Sequence, residues 1–284
     1  MEEQKLQLVD IDAIIKNKNE KLYKYLPRFV VRYIKHIVHQ NEVNDILTRA
    51  YQKYYGVDFA DFIIRDFNVK INLIHQERIP LDNKLIIVSN HPLGGFDGTA
   101  LISLLGNIRS NVKCPVNDIL MYLSNFQSIF VPINKTGKNT IELAKNFDKL
   151  FAENDTILYF PAGLCSRKIK GKIIDLDWKK TFISKAKQYG HDILPIYFEG
   201  KNSNFFYNLA KLRTALHIKA NIEQIFLPNE FFKQRNSEFN VIVSHVIKNE
   251  ELLADKRSDF AIAQSIKQKV YQLPNELKPY DKIY

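Results

Sequence analysis

The sequence predicts an α/β fold in which a mixed sheet is flanked by helices and preceded by a helical N-terminal region. Two observations support this prediction. From residue 84 onward, short apolar runs rich in β-branched residues alternate with stretches of helical periodicity, which is typical of a sheet covered on both faces. Before residue 80, apolar residues recur mainly at helical spacing. With 284 residues, of which 45% are hydrophobic, the chain can bury a substantial core.

The N-terminal region, residues 1–80, is predicted to be helical. Its expected helices span residues 9–16, 21–39 with a break near Pro27, 44–55 and 58–67. The second of them is amphipathic and basic, with Phe29 and Tyr33 on its apolar stripe and Arg28 and Arg32 beside it. Such a helix suits two roles equally, packing on the protein core or contact with an anionic membrane surface.

The remaining residues, 81–284, are predicted to form the α/β catalytic core. Its expected strands cover residues 84–90, 112–117, 128–134, 156–163, 192–200 and 239–247. Its expected helices cover residues 99–105, 138–151, 179–188, 204–216 and 259–272. No window approaches the roughly 18 uncharged apolar residues that a membrane-spanning helix requires.

Charge and cysteine content restrict the possible partners and compartment. The net charge of +10 predicts an acidic partner, such as nucleic acid, anionic lipid or an acidic carrier protein. Cys114 and Cys165 lie far apart and form no C-x-x-C pair, which fits a reducing compartment and offers no thiolate metal site. The N-terminus lacks the apolar run of a secretory signal, so we expect a cytoplasmic protein. No second His or carboxylate lies at ligand spacing near His91 and Asp97, and we expect neither a metal nor another cofactor.

The stretch IIVSNHPLGGFDGTALISLL, residues 86–105, has the clearest chemical pattern. A strand should end at Asn90 and leave His91 at the carboxyl edge of the sheet, where ligands of α/β proteins bind. Gly94 and Gly95 allow a tight bend that returns Asp97 towards His91. A histidine with a carboxylate on its second ring nitrogen is suited to deprotonate a substrate hydroxyl. Backbone N–H groups of the turn are expected to bind the oxyanion.

Each of these residues also has a simpler explanation. Asp97 alone suits a helix N-cap that accepts from the N–H of Thr99 or Ala100. His91 alone suits a polar position in a turn. Their short spacing within a strand, a double-glycine turn and a helix favours the catalytic interpretation.

The motif NHPLGGFDG resembles the His-x4-Asp block of the glycerolphosphate and lysophospholipid acyltransferases. Three further stretches follow in the order of that family: IFVPINKTGKN at 129–139, LYFPAGLCSRK at 158–168 and DILPIYFEG at 192–200. The resemblance implies the fold of that family, with His91 as general base and Asp97 as its partner in transfer from an acyl thioester. The residues that it implies in substrate binding are Asn90, Gly94, Gly95, Lys135, Gly163, Ser166, Arg167 and Lys168.

This sequence departs from the family pattern in two places. Five residues separate His91 from Asp97 where the family has four, and Ala162 replaces the Glu of the family's Phe-Pro-Glu-Gly block. Loss of that carboxylate beside Arg167 and Lys168 makes the pocket more positive, which favours an anionic acceptor. The combination is most similar to bacterial hemolysin-like enzymes that acylate lyso-ornithine or lyso-glycine lipids. The expected acceptor is therefore the 3-hydroxyl of an N-(3-hydroxyacyl) amino acid, with its carboxylate at Arg167 or Lys168.

The resemblance also implies partners and a location. The donor would be a thioester of acyl carrier protein or coenzyme A, the acceptor a lyso-lipid, and the protein peripheral on the inner face of the cytoplasmic membrane, without nucleic acid. Three other interpretations stay open. They are a lysophosphatidate acyltransferase, a thioesterase or hydrolase in which basic neighbours lower the pKa of Cys165, and a non-enzymatic membrane- or nucleic-acid-binding protein.

Overall fold

A seven-stranded sheet forms the centre of the computed structural model, which describes residues 6–134, 140–153 and 156–277. The strands are β1 Lys70–Ile74, β2 Leu85–Ser89, β3 Val112–Asn117, β4 Phe130–Asn134, β5 Thr156–Tyr159, β6 Arg167–Ile169, β7 Lys172–Ile174, β8 Asp192–Phe198 and β9 Glu238–Val243. The order across the sheet is β1-β9-β8-β2-β5-β3-β4. Only β8 and β9 pair antiparallel within it, so among the described residues the sheet is mixed, as predicted. β6 and β7 form a separate antiparallel hairpin.

Helices surround this sheet and precede it. They are α1 Ile11–Lys18, α2 Glu20–Tyr25, α3 Arg28–Ile37, α4 Gln40–Ala50, α5 Val57–Asp66, α6 Phe96–Gly106, α7 Thr140–Glu153, α8 Thr181–Tyr189, α9 Asn204–Ala215, α10 Leu227–Phe232, α11 Asn249–Ala254 and α12 Asp259–Glu276. Short 3-10 helices span Gln76–Arg78, Asp118–Tyr122, Ser124–Phe126 and Ile222–Phe226. None of the helices in the described ranges has the length and hydropathy needed to cross a bilayer.

β2 lies in the middle of the sheet and contributes to the apolar cores on both of its faces. All of its side chains are fully buried. Because side chains alternate along a strand, Leu85 and Ile87 enter one core while Ile86 and Val88 enter the other. The first core also contains residues of α4, α5 and α6, and the second contains residues of α8 and α12. The central position of β2 places its carboxyl end on a rigid support.

Two strand assignments differ from the sequence-based prediction. The sequence predicts no strand before residue 84, but β1 lies at 70–74 and pairs with β9 at the edge of the sheet. β1 is short and mostly half-exposed, so its apolar signal is weak. The antiparallel β6–β7 hairpin is likewise absent from the strands expected from the sequence. α5 and α6 lie on opposite sides of residue 80 in the sequence and pack against each other. The division of the chain into two regions at residue 80 stays a prediction.

Candidate active site

The carboxyl ends of β2 and β5 lie side by side, and the first and third sequence motifs meet there. β2 and β5 are parallel neighbours, so the loops that follow them emerge at one edge of the sheet. The rings of His91 and Phe160 stack with their centroids 4.1 Å apart. The backbone N–H of Ser166 donates to the carbonyl oxygen of His91 at 2.8 Å. The sequence reasoning overlooked Phe160, which holds one face of the imidazole.

The structure brings His91 and Asp97 together, as the motif predicts. His91 Nδ1 lies 3.1 Å from Asp97 Oδ2, and the Asp97 side chain is fully buried. The same oxygen accepts the backbone N–H of Leu93 at 2.9 Å and of Gly94 at 3.4 Å. Gly94 adopts φ +80, a conformation that favours glycine, and so accommodates the extra residue of the turn. Because a carboxylate only accepts, Nδ1 carries the proton and the neutral ring keeps its lone pair on Nε2.

The N-cap interpretation of Asp97 is wrong. Gly95 occupies the N-cap position of α6 and Asp97 lies in its first turn, so Asp97 is not the N-cap. The N–H of Thr99 donates to the carbonyl oxygen of Gly95 at 3.1 Å rather than to Asp97. The N–H groups of Leu93 and Gly94 donate to Asp97. The turn therefore serves to hold the carboxylate that holds His91. For the other N–H groups of the turn, binding of an oxyanion stays a prediction.

The surroundings of His91 favour its charged form. Burial disfavours the imidazolium, but the negative charge of Asp97, its hydrogen bond to Nδ1 and the charge of Asp175 outweigh that penalty. The pKa of His91 is therefore raised above its ordinary value. A raised pKa makes the neutral ring a stronger base for a hydroxyl proton.

Asp175 is a second buried carboxylate that the sequence reasoning missed. Its Oδ1 accepts the backbone N–H of His91 at 3.2 Å and the hydroxyl of Ser166 at 2.5 Å. Its Oδ2 accepts the indole N–H of Trp178 at 2.8 Å, and its own N–H donates to the hydroxyl of Tyr271 at 2.8 Å. Burial raises the pKa of Asp175 despite these hydrogen bonds. Asp175 thus fixes the main chain of His91 while Asp97 fixes its ring.

Two of the predicted substrate-binding residues point into the protein framework. The side-chain amide of Asn90 donates to the carbonyl oxygen of Phe198 at 2.8 Å and accepts its N–H at 2.7 Å, which ties β2 to β8. Ser166 is buried, and its hydroxyl is directed to Asp175. Gly163 adopts φ +67, and a Cβ built on it would lie 3.1 Å from Nζ of Lys179.

Arg167 lies in a buried ion cluster. One of its terminal nitrogens is 2.6 Å from Glu223 Oε1, and Arg213 Nε is 3.0 Å from Glu223 Oε2. Glu223 is fully buried, and the guanidinium of Arg167 lies 5.6 Å from the ring centre of Phe206. Two guanidinium groups therefore face a single carboxylate, which leaves an excess positive charge beside the third motif. Glu223 lies 56 residues from Arg167, so no short sequence motif contains both residues.

Of the two lysines predicted to bind substrate, the structure describes one. Lys168 is exposed at the start of the β6–β7 hairpin, with Nζ 3.4 Å from Oδ1 of Asn204. Lys135 lies outside the described residues. In the described ranges, no group of three His, Cys, Asp or Glu side chains is placed to hold a metal ion.

The environment of Cys165 contradicts the proposal of an activated thiol. Cys165 is buried, and burial raises the pKa of its thiol to about 11 although Arg167 lies beside it. Attack requires the thiolate, which such a pKa makes scarce at neutral pH. Arg167 acts on this pKa in the expected direction, but burial outweighs it. The expectation of an activated thiol is therefore wrong, and the case for a Cys165 hydrolase loses its physical basis.

Comparison with known proteins identifies similar sequences along almost the whole chain. The family model described as "Acyltransferase" matches residues 13–279. A lyso-glycine lipid O-acyltransferase of Phocaeicola vulgatus is 43% identical over 275 residues, covering 96% of this chain and 98% of the relative. An enzyme of the same name from Bacteroides thetaiotaomicron is 46% identical over 242 residues, covering 85% and 89%. The crystal structure of the 1-acyl-sn-glycerophosphate acyltransferase PlsC from Thermotoga maritima matches at 15% identity and a TM-score of 0.46, covering 93% and 99%.

Asp175→Ala is expected to destabilise the fold. It leaves buried donors of Ser166 and Trp178 without their acceptor, and each unsatisfied group costs about 1–3 kcal/mol. The free energy of unfolding, measured by urea denaturation, should fall by about 3 kcal/mol. Asp177→Ala is the control, because the Asp177 side chain is 79% exposed and its removal should change stability by less than about 0.5 kcal/mol. Equal effects of the two substitutions would contradict the role of Asp175.

Proposed function

Since the chain belongs to the acyltransferase family and is an acyltransferase, we propose that its acceptor is a lyso-glycine lipid. The observation that carries this proposal is the identity of 43% and 46% to two enzymes named for that reaction, extending across the site. In the reaction, the acyl C–S bond of a thioester breaks, an ester bond forms at the acceptor hydroxyl, and the donor leaves as a thiol.

His91 is the general base of this reaction. Its Nε2 accepts the proton of the acceptor hydroxyl, and the oxygen attacks the thioester carbonyl directly, without an acyl-enzyme. Asp97, in contact with Nδ1, stabilises the imidazolium that forms. The imidazolium then supplies the proton that the departing sulfur requires. The hydrogen-bonded pair of half-buried His91 and buried Asp97 supports this mechanism, since a positioned base is worth about 10²–10⁴ in rate.

The ion cluster of Arg167 supports an anionic acceptor without a cationic group. A lyso-glycine lipid ends in a carboxylate, whereas a lyso-ornithine lipid adds an ammonium group. The two guanidinium groups around Glu223, together with Lys179 beside Gly163, repel an ammonium and attract a carboxylate. The cluster therefore favours glycine over ornithine in the acceptor.

The donor is proposed to be a thioester of acyl carrier protein or coenzyme A. Exposed lysines follow the third motif on the β6–β7 hairpin, namely Lys168, Lys170 and Lys172. Positive charge at this point suits an acidic carrier protein or the phosphates of coenzyme A. The protein is proposed to act on the inner face of the cytoplasmic membrane, where a lyso-lipid acceptor is presented.

The acceptor is tested by offering one labelled acyl-carrier-protein donor to lyso-glycine lipid, lyso-ornithine lipid and lysophosphatidate. Product should form fastest on lyso-glycine lipid, and His91→Ala should lower kcat by about 10²-fold or more. His245→Ala is the matched control, because His245 is exposed after β9 and should leave the rate unchanged. Faster product formation on lysophosphatidate would contradict the acceptor, and an active His91→Ala enzyme would contradict the base.

Activity should depend on pH through His91. The base works only when neutral, so kcat/KM should fall as the pH drops through the pKa of His91, which lies above its ordinary value of 6.5. Asp97→Asn removes the charge that raises this pKa and should move the acid limb of the profile to lower pH while lowering its plateau. A profile that stays flat through the acid range would contradict general-base use of His91.

Substitution of Arg167 should affect the acceptor more than the donor. Arg167→Ala is expected to raise the acceptor KM about tenfold or more while changing the donor KM little, since a charge-assisted contact contributes about 1.5–3 kcal/mol. Lys170→Ala, at the turn of the β6–β7 hairpin, removes a nearby positive charge that is proposed to face the donor, and it should leave the acceptor KM unchanged. An unchanged acceptor KM in a folded Arg167→Ala protein, verified by its melting temperature, would remove Arg167 from acceptor binding.

A further inference from the structure

Exposed apolar side chains are concentrated in the segment that follows β8. Between residues 205 and 225, six large hydrophobic residues each have at least 38% of their surface exposed. They are Phe205, Leu212, Leu216, Ile218, Ile222 and Ile225. Single exposed hydrophobic residues are ordinary on protein surfaces, whereas a concentration of them marks a contact surface.

A second group of exposed apolar side chains adjoins this segment. α9 and α3 both pack against the 3-10 helix Ile222–Phe226. On α2 and α3, Tyr25 is 86%, Phe29 is 71% and Tyr33 is 54% exposed. Phe29 and Tyr33 lie four residues apart and therefore share one face of α3. The nine side chains of the two groups are called the apolar surface below.

The exposed charges around the apolar surface are mostly positive, although Glu20 lies at its edge, 3.0 Å from Lys24. Residues 21–41 and residues 200–222 contain no Asp or Glu. The exposed basic residues in these two ranges include Lys24, Arg28, Arg32, Lys211 and Lys219. Apolar side chains among positive charges match the headgroups and acyl chains of an anionic membrane. A second copy of the chain would bring like charges together, and nucleic acid offers no apolar counterpart to the aliphatic side chains.

The inner side of the same segment contacts the candidate active site. Glu223, on the 3-10 helix that exposes Ile222 and Ile225, binds Arg167 at 2.6 Å. The side chain of Leu227 packs on the turn after His91, because a Cβ built on Gly94 would lie 2.8 Å from Leu227 Cδ2. The segment thus links the apolar surface to the turn that carries the base.

We propose that residues 204–226, together with α3, dock the protein on an anionic membrane surface. Membrane contact is one of the two interpretations that the sequence allows for the basic N-terminal helix, and we add α9 and the 3-10 helix as a second contact element. An acceptor drawn from that membrane reaches the His91 turn across this segment. The route of the acceptor rests on the proposed function, but the docking itself does not.

Vesicle co-sedimentation of the purified full chain tests the docking without any substrate. The probe is vesicles of phosphatidylglycerol and phosphatidylcholine in equal parts, compared with pure phosphatidylcholine vesicles. The wild-type protein should bind the anionic vesicles and release them at high salt. The double variant Leu212→Ser, Leu216→Ser should bind about tenfold more weakly or worse, because Leu212 in the last turn of α9 and Leu216 at its C-cap are both exposed. Phe29→Ser with Tyr33→Ser should weaken binding similarly.

The matched control is Leu253→Ser with Phe260→Ser. These side chains are 60% and 48% exposed on α11 and α12, outside the apolar surface, and their loss should leave binding unchanged. Unaltered melting temperatures would verify folding, and sedimentation velocity without lipid would detect self-association. Wild-type binding by the α9 variant, or dimers that this variant abolishes, would overturn the proposal. Vesicle binding by a wild-type protein that transfers no acyl group would refute the proposed function and leave the docking intact.

Discussion

The buried carboxylate of Asp97 is the interaction on which the geometry of the site depends. A carboxylate without solvent is costly unless donors surround it, and Asp97 receives the ring of His91 together with three backbone N–H groups. Those amides come from Leu93 and Gly94 before it and from Gly98 after it. The same contacts that make its burial tolerable also define the turn. The orientation of the imidazole is therefore a property of the fold of the motif rather than of a flexible side chain.

A second buried carboxylate, that of Asp175, holds the main chain of His91. Asp175 and Ser166 hold the N–H and the carbonyl oxygen of His91, so the main chain of the histidine is attached to the loop after β5. The rigid end of β2 supplies the third constraint. Because both carboxylates lie away from water, their charges act on the imidazole with little screening. This arrangement explains why the half-buried imidazole of His91 has a raised pKa.

The sequence predicted the parts of this structure that depend on local spacing. The strands around β2 and the meeting of His91 with Asp97 follow from periodicity and from a turn of a few residues. The partners of Arg167 and His91 could not be found in this way, because Glu223 lies 56 residues from Arg167 and Asp175 lies 84 residues from His91. Burial of Cys165, which raises its pKa, is equally a tertiary effect. The edge strand β1 was not predicted from the sequence, because its half-exposed residues give a weak apolar pattern.

The chain belongs to the acyltransferase family, and His91 forms a hydrogen bond with Asp97. Both observations support a reaction in which the protein supplies the base and the substrate supplies the nucleophile. This reaction depends above all on the protonation state and tautomer of the His91 imidazole. Both are tested most directly by nitrogen NMR of the histidine side chains, with His91 assigned by comparison with His91→Gln. We expect a neutral ring protonated on Nδ1 and a titration midpoint above the ordinary value. A ring protonated on Nε2, or a midpoint below the ordinary value, would contradict this expectation.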